Sequence, residues 1–145
     1  MHEFSIAQGI VDYAISEGKR SGGGELREVR VDVGDLTLID RRVLSEALRM
    51  LLAGSGLAKC RVRVKGARTS FVCRKCSNRW SMEEAQRQLD MVPKNLRVRE
   101  PDSREVPLHF LPGLYSSFIV CTACGSSDVE ASGGDDVRIR RLVFE

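Results

Sequence analysis

The stretch Cys73-Arg74-Lys75-Cys76 decides how this chain is built. Two cysteines separated by two residues let both sulfurs approach one ion, at roughly 2.3 Å in the case of zinc. The pattern returns at Cys121-Thr122-Ala123-Cys124, and the chain has only one further cysteine, Cys60. Four thiolates in two such turns make a closed tetrahedral site. Zn(II), borderline soft and without directional d-electron preference, is the ion that suits it. A closed site of this kind holds structure, so any chemistry has to lie elsewhere. Gly125, directly after the second pair, is free to take the positive φ that turns backbone amides toward sulfur.

Outward from the cysteines, residues 67–130 form the expected zinc-binding domain. Ser81 to Leu89 has the pattern of a short helix, with Ser81 as N-cap and Glu84 completing a capping box. All four prolines, Pro93, Pro101, Pro107 and Pro112, fall after Asp90 and before the second cysteine pair. Proline has no amide hydrogen and a fixed φ, so this long insert is expected to be a loop.

Residues 1–66 alternate helix and strand patterns. Phe4, Ala7, Ile10, Val11, Ala14 and Ile15 recur at three- and four-residue spacing, which predicts a helix from His2 to Gly18, stopped by Gly18 and by Ser21-Gly22-Gly23-Gly24. Val29, Val31 and Val33 alternate with Arg30 and Asp32 as in a half-buried strand. Asp40 is placed to cap a second helix whose apolar face is Val43, Leu44, Ala47, Leu48, Leu51 and Leu52. A second strand follows, with Ala58, Cys60, Val62 and Val64 on one face; Cys60 there is a small hydrophobe rather than a reactive thiol, since no base lies nearby. The tail from Asp135 to Glu145 is again strand-like, and its apolar Leu142, Val143 and Phe144 predict a third strand returning to the first sheet, with a bulge or an edge at Arg140-Arg141. The fold class that results is α+β: two helices on a three-stranded sheet, residues 1–66 plus 131–145, with a four-cysteine, zinc-ribbon-like domain inserted at 67–130.

Composition narrows the function. The 145 residues carry 23 Lys and Arg against 20 Asp and Glu, a formal net charge of +3, and the basic residues are scattered. Neither nucleic acid nor a membrane is an expected partner. The chain has no apolar run long enough to span a bilayer, and Glu3 and Asp12 stand where a signal peptide needs a basic start and an apolar core. A cytoplasmic protein with reduced, metal-binding cysteines is expected. No Ser-His-Asp set, phosphate-cradling glycine loop or open three-ligand zinc site is present, so an enzyme is not expected. Two other classes fit the cysteine pairs. A zinc ribbon can contact nucleic acid, here through Arg74, Lys75, Arg79 and Trp80, although aromatic and basic residues are not interleaved. A zinc-thiol redox sensor would release its metal on oxidation.

The start of the chain, Met1-His2-Glu3, offers a second metal-ligand set. An α-amine, the deprotonated amide nitrogen of residue 2 and the imidazole of His2 can close adjacent chelate rings in one plane, a geometry suited to Ni(II) or Cu(II). Met1 precedes a bulky residue and is expected to remain. Glu3 adds a carboxylate as ligand or as a partner to a ligand. Alternatively His2 is an ordinary solvated residue at a helix start. The other histidine of the two, His109, lies in Val106-Pro107-Leu108-His109-Phe110-Leu111-Pro112; it either supplies a further nitrogen or packs beside Phe110.

The opening Met1-His2-Glu3-Phe4-Ser5-Ile6, the helix-strand-helix-strand order and the two cysteine pairs with Cys124-Gly125-Ser126 resemble the HypA/HybF family of nickel metallochaperones in NiFe-hydrogenase maturation. The resemblance covers essentially the whole chain. It implies Ni(II) as cargo, bound around His2 with Glu3 adjacent, and structural Zn(II) held by Cys73, Cys76, Cys121 and Cys124. It further implies a HypB-type GTPase partner and delivery to the hydrogenase large subunit. The long spacer between the cysteine pairs is similar to that of the archaeal members, in which a spacer histidine can join the nickel site; His109 is the residue that matches.

Overall fold

In chain order the computed structural model has α1 (His2–Ser21), β1 (Leu26–Gly34), a 3-10 turn (Asp35–Thr37), α2 (Arg41–Gly54), β2 (Arg61–Ala67), β3 (Ser70–Cys73), β4 (Arg79–Ser81), α3 (Met82–Asp90), β5 (Val98–Arg99), β6 (Arg104–Glu105), β7 (Val129–Ser132) and β8 (Val137–Phe144). The structure describes residues 2–92, 98–99, 104–105, 115 and 118–145. The chain divides into two compact units, one of residues 1–33, 39–66 and 137–145, the other of residues 34–38 and 67–136.

The first unit is a three-stranded sheet of order β2-β1-β8 with both long helices packed on one face. Its core consists of Ala7, Ile10, Val11 and Ala14 from α1, Leu44, Ala47, Leu48 and Leu52 from α2, and Val29, Val31 and Val33 from β1. Fully burying a valine or leucine contributes roughly 1.5–3 kcal/mol, so the stripes read from the sequence hold the helices to the sheet. The expected third strand is β8, antiparallel to β1, and the break at Arg140 is a bulge: Arg30 faces Arg141 while Val31 faces Ile139, leaving Arg140 unopposed.

Three details of this unit differ from the sequence expectation. Phe4 does not join the core stripe; it is 47% exposed, and Glu3, one position earlier, is the residue turned inward. The helical face that buries Ala7, Ile10 and Ala14 passes through position 3, so the carboxylate goes in and the ring goes out. Gly18 does not stop α1, which continues to Ser21. It lies inside the helix with the Phe144 ring in the space a side chain would take: a Cβ there would sit 2.7 Å from Phe144 Cε1. The second strand begins at Arg61, three residues after Ala58. The N-cap at Asp40 is as expected, its carboxylate accepting the amides of Arg42 and Val43.

The second unit contains the sheet β4-β3-β7 and helix α3. Phe71, Trp80, Ala85, Leu89, Ile119 and Val129 form its core with Leu36. Leu36 belongs to the short segment Gly34–Leu38, which lies with the second unit although the sequence pattern predicts it in the first domain. Its amide donates to the carbonyl of Gly134. Ser81 occupies the N-cap of α3 in extended geometry, but its hydroxyl makes no capping bond, so the expected box does not form. The conformation of Ser81 is instead set by strand pairing with Ser70. Within the proline-containing insert, β5 and β6 form a two-stranded antiparallel pair where only loop was expected.

Candidate metal centre

The four cysteines read as ligands converge. One sulfur from each of Cys73, Cys76, Cys121 and Cys124 lies within 4.8 Å of the others. Cys73 Sγ is 3.7 Å from Cys124 Sγ, and Cys76 Sγ is 3.5 Å from Cys121 Sγ. Four sulfurs placed about 2.3 Å from one central ion stand about 3.8 Å apart along the edges of the tetrahedron. The two cross-pair separations are those of a tetrahedral thiolate cage, and no disulfide competes with it, all five cysteines being free. The residues present therefore fit zinc.

Each pair folds into the same turn. The amide of Ser77 donates to the carbonyl of Cys73 at 2.9 Å, and that of Gly125 to the carbonyl of Cys121 at 3.0 Å. The cysteine amides close the loops by donating to Asn78 and Ser126, both at 2.8 Å. The residue after the second cysteine is left-handed in both turns, φ 74° at Gly125 and φ 63° at Ser77. Glycine takes that conformation freely, whereas Ser77 adopts it at a cost of about 1–2 kcal/mol.

These turns aim amides at sulfur. Cys121 Sγ accepts from the backbone N–H of Ala123 at 3.3 Å and of Cys124 at 3.4 Å, and from Asn78 Nδ2 at 3.7 Å. Burial opposes ionisation of Cys121, but these donors and the neighbouring Cys76 prevail and hold its thiol down to about 6. Cys73 is lowered as well, chiefly by the amide of Cys76. The amide of Asn78 is the largest single influence on Cys76 and favours its thiolate, but Cys121, burial, Cys124 and Cys73 together outweigh it and push the thiol up to about 12. The backbone amides of the two turns thus favour the thiolate form at the two buried sulfurs, the form that ligates metal.

Two further side chains support these turns. Asn78, besides reaching Cys121, donates from Nδ2 to Thr122 Oγ1 at 2.9 Å, tying the first turn to the second. Gln88 of α3 pairs with the backbone of Val120 as a strand would, accepting its N–H and donating to its carbonyl, each at 2.9 Å. That places the residue immediately before Cys121. The position of Asn78 two residues beyond Cys76 is a local signal, but nothing in sequence marks Gln88.

At the other candidate site, the α1 helix begins at His2, and Glu3 is 9% exposed. Glu3 Oε1 accepts the backbone N–H of Asp40 at 3.1 Å. Met1 and His109 lie outside the described residues. Cys60 is half-buried against the first core, and burial pushes its thiol up, as for a packed hydrophobe.

The profile described as hydrogenase/urease nickel incorporation, metallochaperone, hypA matches residues 1–144. The chain belongs to the HypA family. The chain is 28% identical to the hydrogenase maturation factor HypA of Thermococcus onnurineus over 145 residues, covering 100% of this chain and 96% of that protein. It is 28% identical to the factor of the same name from Pyrococcus abyssi, with the same coverage, and 27% identical to that of Ignicoccus hospitalis over 147 residues, covering 97% of it. Among solved structures it is similar to a HypA protein in solution, with a TM-score of 0.54 at 16% identity and coverage of 100% and 97%. It is also similar to the Ni metallochaperone HypA from Helicobacter pylori, with a TM-score of 0.51 at 16% identity and coverage of 98% and 96%. These likenesses establish the α+β fold of the HypA family, a family of metallochaperones and not of enzymes. No helix among the described residues is long and apolar enough to cross a membrane.

Proposed function

We propose that this HypA-family chain carries Ni(II) on its first unit, residues 1–33, 39–66 and 137–145, and keeps a structural Zn(II) in its second, residues 34–38 and 67–136. The family match over residues 1–144 carries the proposal. In it, the Met1 amine, the amide nitrogen and imidazole of His2, and Glu3 make the nickel site, with His109 as a further nitrogen ligand. The start of α1 at His2 supports this arrangement. The first four amides of a helix have no intrahelical acceptor, so recruiting the His2 amide nitrogen to nickel breaks no helix bond. Glu3, whose Oε1 accepts the amide of Asp40, would add its carboxylate as a ligand or as a partner to a ligand. The cargo is then delivered, with a HypB-type GTPase, to the NiFe-hydrogenase large subunit in the cytoplasm.

The zinc role rests on donor chemistry. Cys73, Cys76, Cys121 and Cys124 would hold the ion, and it would neutralise and cross-link four thiolates around which a small core closes. All four positions of the tetrahedron are protein sulfur, which leaves none for a reacting molecule.

The test is metal analysis of protein without an N-terminal tag, wild type beside His2→Ala, for nickel and zinc in parallel. The expected result is loss of nickel and retention of one zinc in the variant. Equal nickel in both would overturn the site. Nickel affinity should also fall as pH drops through the imidazole range near about 6.5, because the ligands must be unprotonated.

A further inference from the structure

The first unit carries a groove of about 860 Å³ that the metal sites do not use. It is lined by β1, α2, β2 and one residue of β8, and seven of its lining side chains are Arg or Lys. The two carboxylates of the lining are already engaged, Asp32 with Arg140 at 3.1 Å and Glu46 with Arg42 at 3.7 Å. Arg30 and Arg63 share one oxygen of the buried Glu28. Arg41, Arg49 and Lys65 have no carboxylate partner among the described residues. The groove is therefore short of negative charge.

Its floor has a second property. In the order β2-β1-β8, β2 is an edge strand, and no strand among the described residues pairs its outer side. Along β2, Arg61, Arg63 and Lys65 are exposed and alternate with half-buried Val62 and Val64. An open edge presents a row of unpaired N–H and C=O groups with side chains alternating to the two faces, and it accepts an extended segment by strand addition. A second copy of the same edge would set Arg and Lys against Arg and Lys, which is repulsive. Among the described residues the lining holds no aromatic ring on which a base could stack, unlike surfaces built for single-stranded nucleic acid.

We propose that the free edge of β2 docks an extended acidic segment of a partner protein as a fourth strand of this sheet. Carboxylates of alternate residues meet Arg63 and Lys65 on one face. On the other, apolar side chains cover Val62 and Val64, with Arg41 and Arg49 along the same groove.

The probe is a fluorescent eight-residue peptide of alternating glutamate and valine, added to the full-length protein and followed by anisotropy and by amide exchange. Binding that weakens with added salt, with new protection confined to residues 61–67 and their neighbours in β1, is the expected result. The double change Arg63→Ser with Lys65→Ser should weaken it by about tenfold or more, and Arg49→Ser, at an exposed helix position, by about threefold. Circular dichroism checks that each variant folds. The proposal is overturned by equal binding of a peptide with the same residues in two blocks, or by binding without protection of β2. Displacement by millimolar inorganic phosphate, tighter binding of a single-stranded oligonucleotide, or protection of β2 by self-association without peptide would each overturn it too.

Discussion

The carboxylate of Glu3 receives the backbone N–H of Asp40 at 3.1 Å, and Asp40 in turn caps α2 by accepting the amides of Arg42 and Val43. The first turns of the two helices of the sheet are thereby joined through one residue. Removing the acceptor by Glu3→Ala should lower stability by about 1.5–3 kcal/mol, the range for a hydrogen bond to a charged group. Glu3→Gln, whose amide oxygen still accepts, should recover much of that loss. Thermal unfolding and the exchange rate of the Asp40 amide check this; indistinguishable Ala and Gln variants would contradict it.

Glu28 gives the fold a pH signature. Burial disfavours its ionised form, but hydrogen bonding from Arg30 and the charges of Arg30, Arg61 and Arg63 prevail and hold its carboxyl below the usual range. Because the folded value lies under the unfolded one near about 4.3, the stability it supplies is present above that pH and lost as pH falls through the folded value. The melting temperature of wild type should exceed that of Glu28→Gln from about pH 5 to 8, and the gap should close on further acidification. A gap that persists at the lowest pH would show that shape, not charge, is responsible.

Stripping metal from the cysteine cluster should release the second unit selectively. Trp80, the single tryptophan, is buried and stacked on Phe71 with ring centroids 5.8 Å apart. Chelation at mildly acidic pH should red-shift its fluorescence while far-ultraviolet helix signal from α1 and α2 persists, since structural zinc contributes on the order of 10 kcal/mol to modules of this kind. Concerted loss of both signals would refute independent support of the two units.

Asn78 links the two metal turns through Cys121 and Thr122. Asn78→Ala should reduce zinc affinity by roughly 10–100-fold, as outer hydrogen-bond partners of metal ligands do. Competition with a chromogenic chelator measures it, and an unchanged affinity would assign Asn78 to turn stability alone.

Gly34 has an ordinary extended backbone, φ −67° and ψ 136°. Its need for glycine is steric: a Cβ would lie 2.1 Å from the carbonyl oxygen of Gly134. Gly34→Ala should therefore cost at least about 2 kcal/mol, even though alanine normally gains by restricting the unfolded chain. Denaturant midpoints decide between the two signs.

Several features were legible in the sequence because they depend on residues a few positions apart. The two-residue cysteine spacing fixes a chelate turn, alternation in Val29, Val31 and Val33 fixes a strand face, and Asp40 caps the helix it precedes. The even placement of apolar residues along α1 and α2 gave both helices, and the tail's apolar residues gave the third strand. Gly125, read as the left-handed turn residue after the second pair, follows from the same local geometry.

What the tertiary structure alone decided are choices between partners far apart along the chain. Helical phase turns Glu3 inward, and it is Asp40, 37 positions away, that supplies the amide its buried carboxylate accepts. Gln88 serves as a strand partner for Val120 across 32 positions, and Asn78 reaches Cys121 across 43. The space beside Gly18 in α1 is filled by the Phe144 ring, and Leu36 joins the second core with its amide bonded to Gly134. Local pattern specifies which face of an element is apolar, but not which distant group will satisfy a buried polar atom or fill the space beside a missing side chain. Packing settles that when the elements meet.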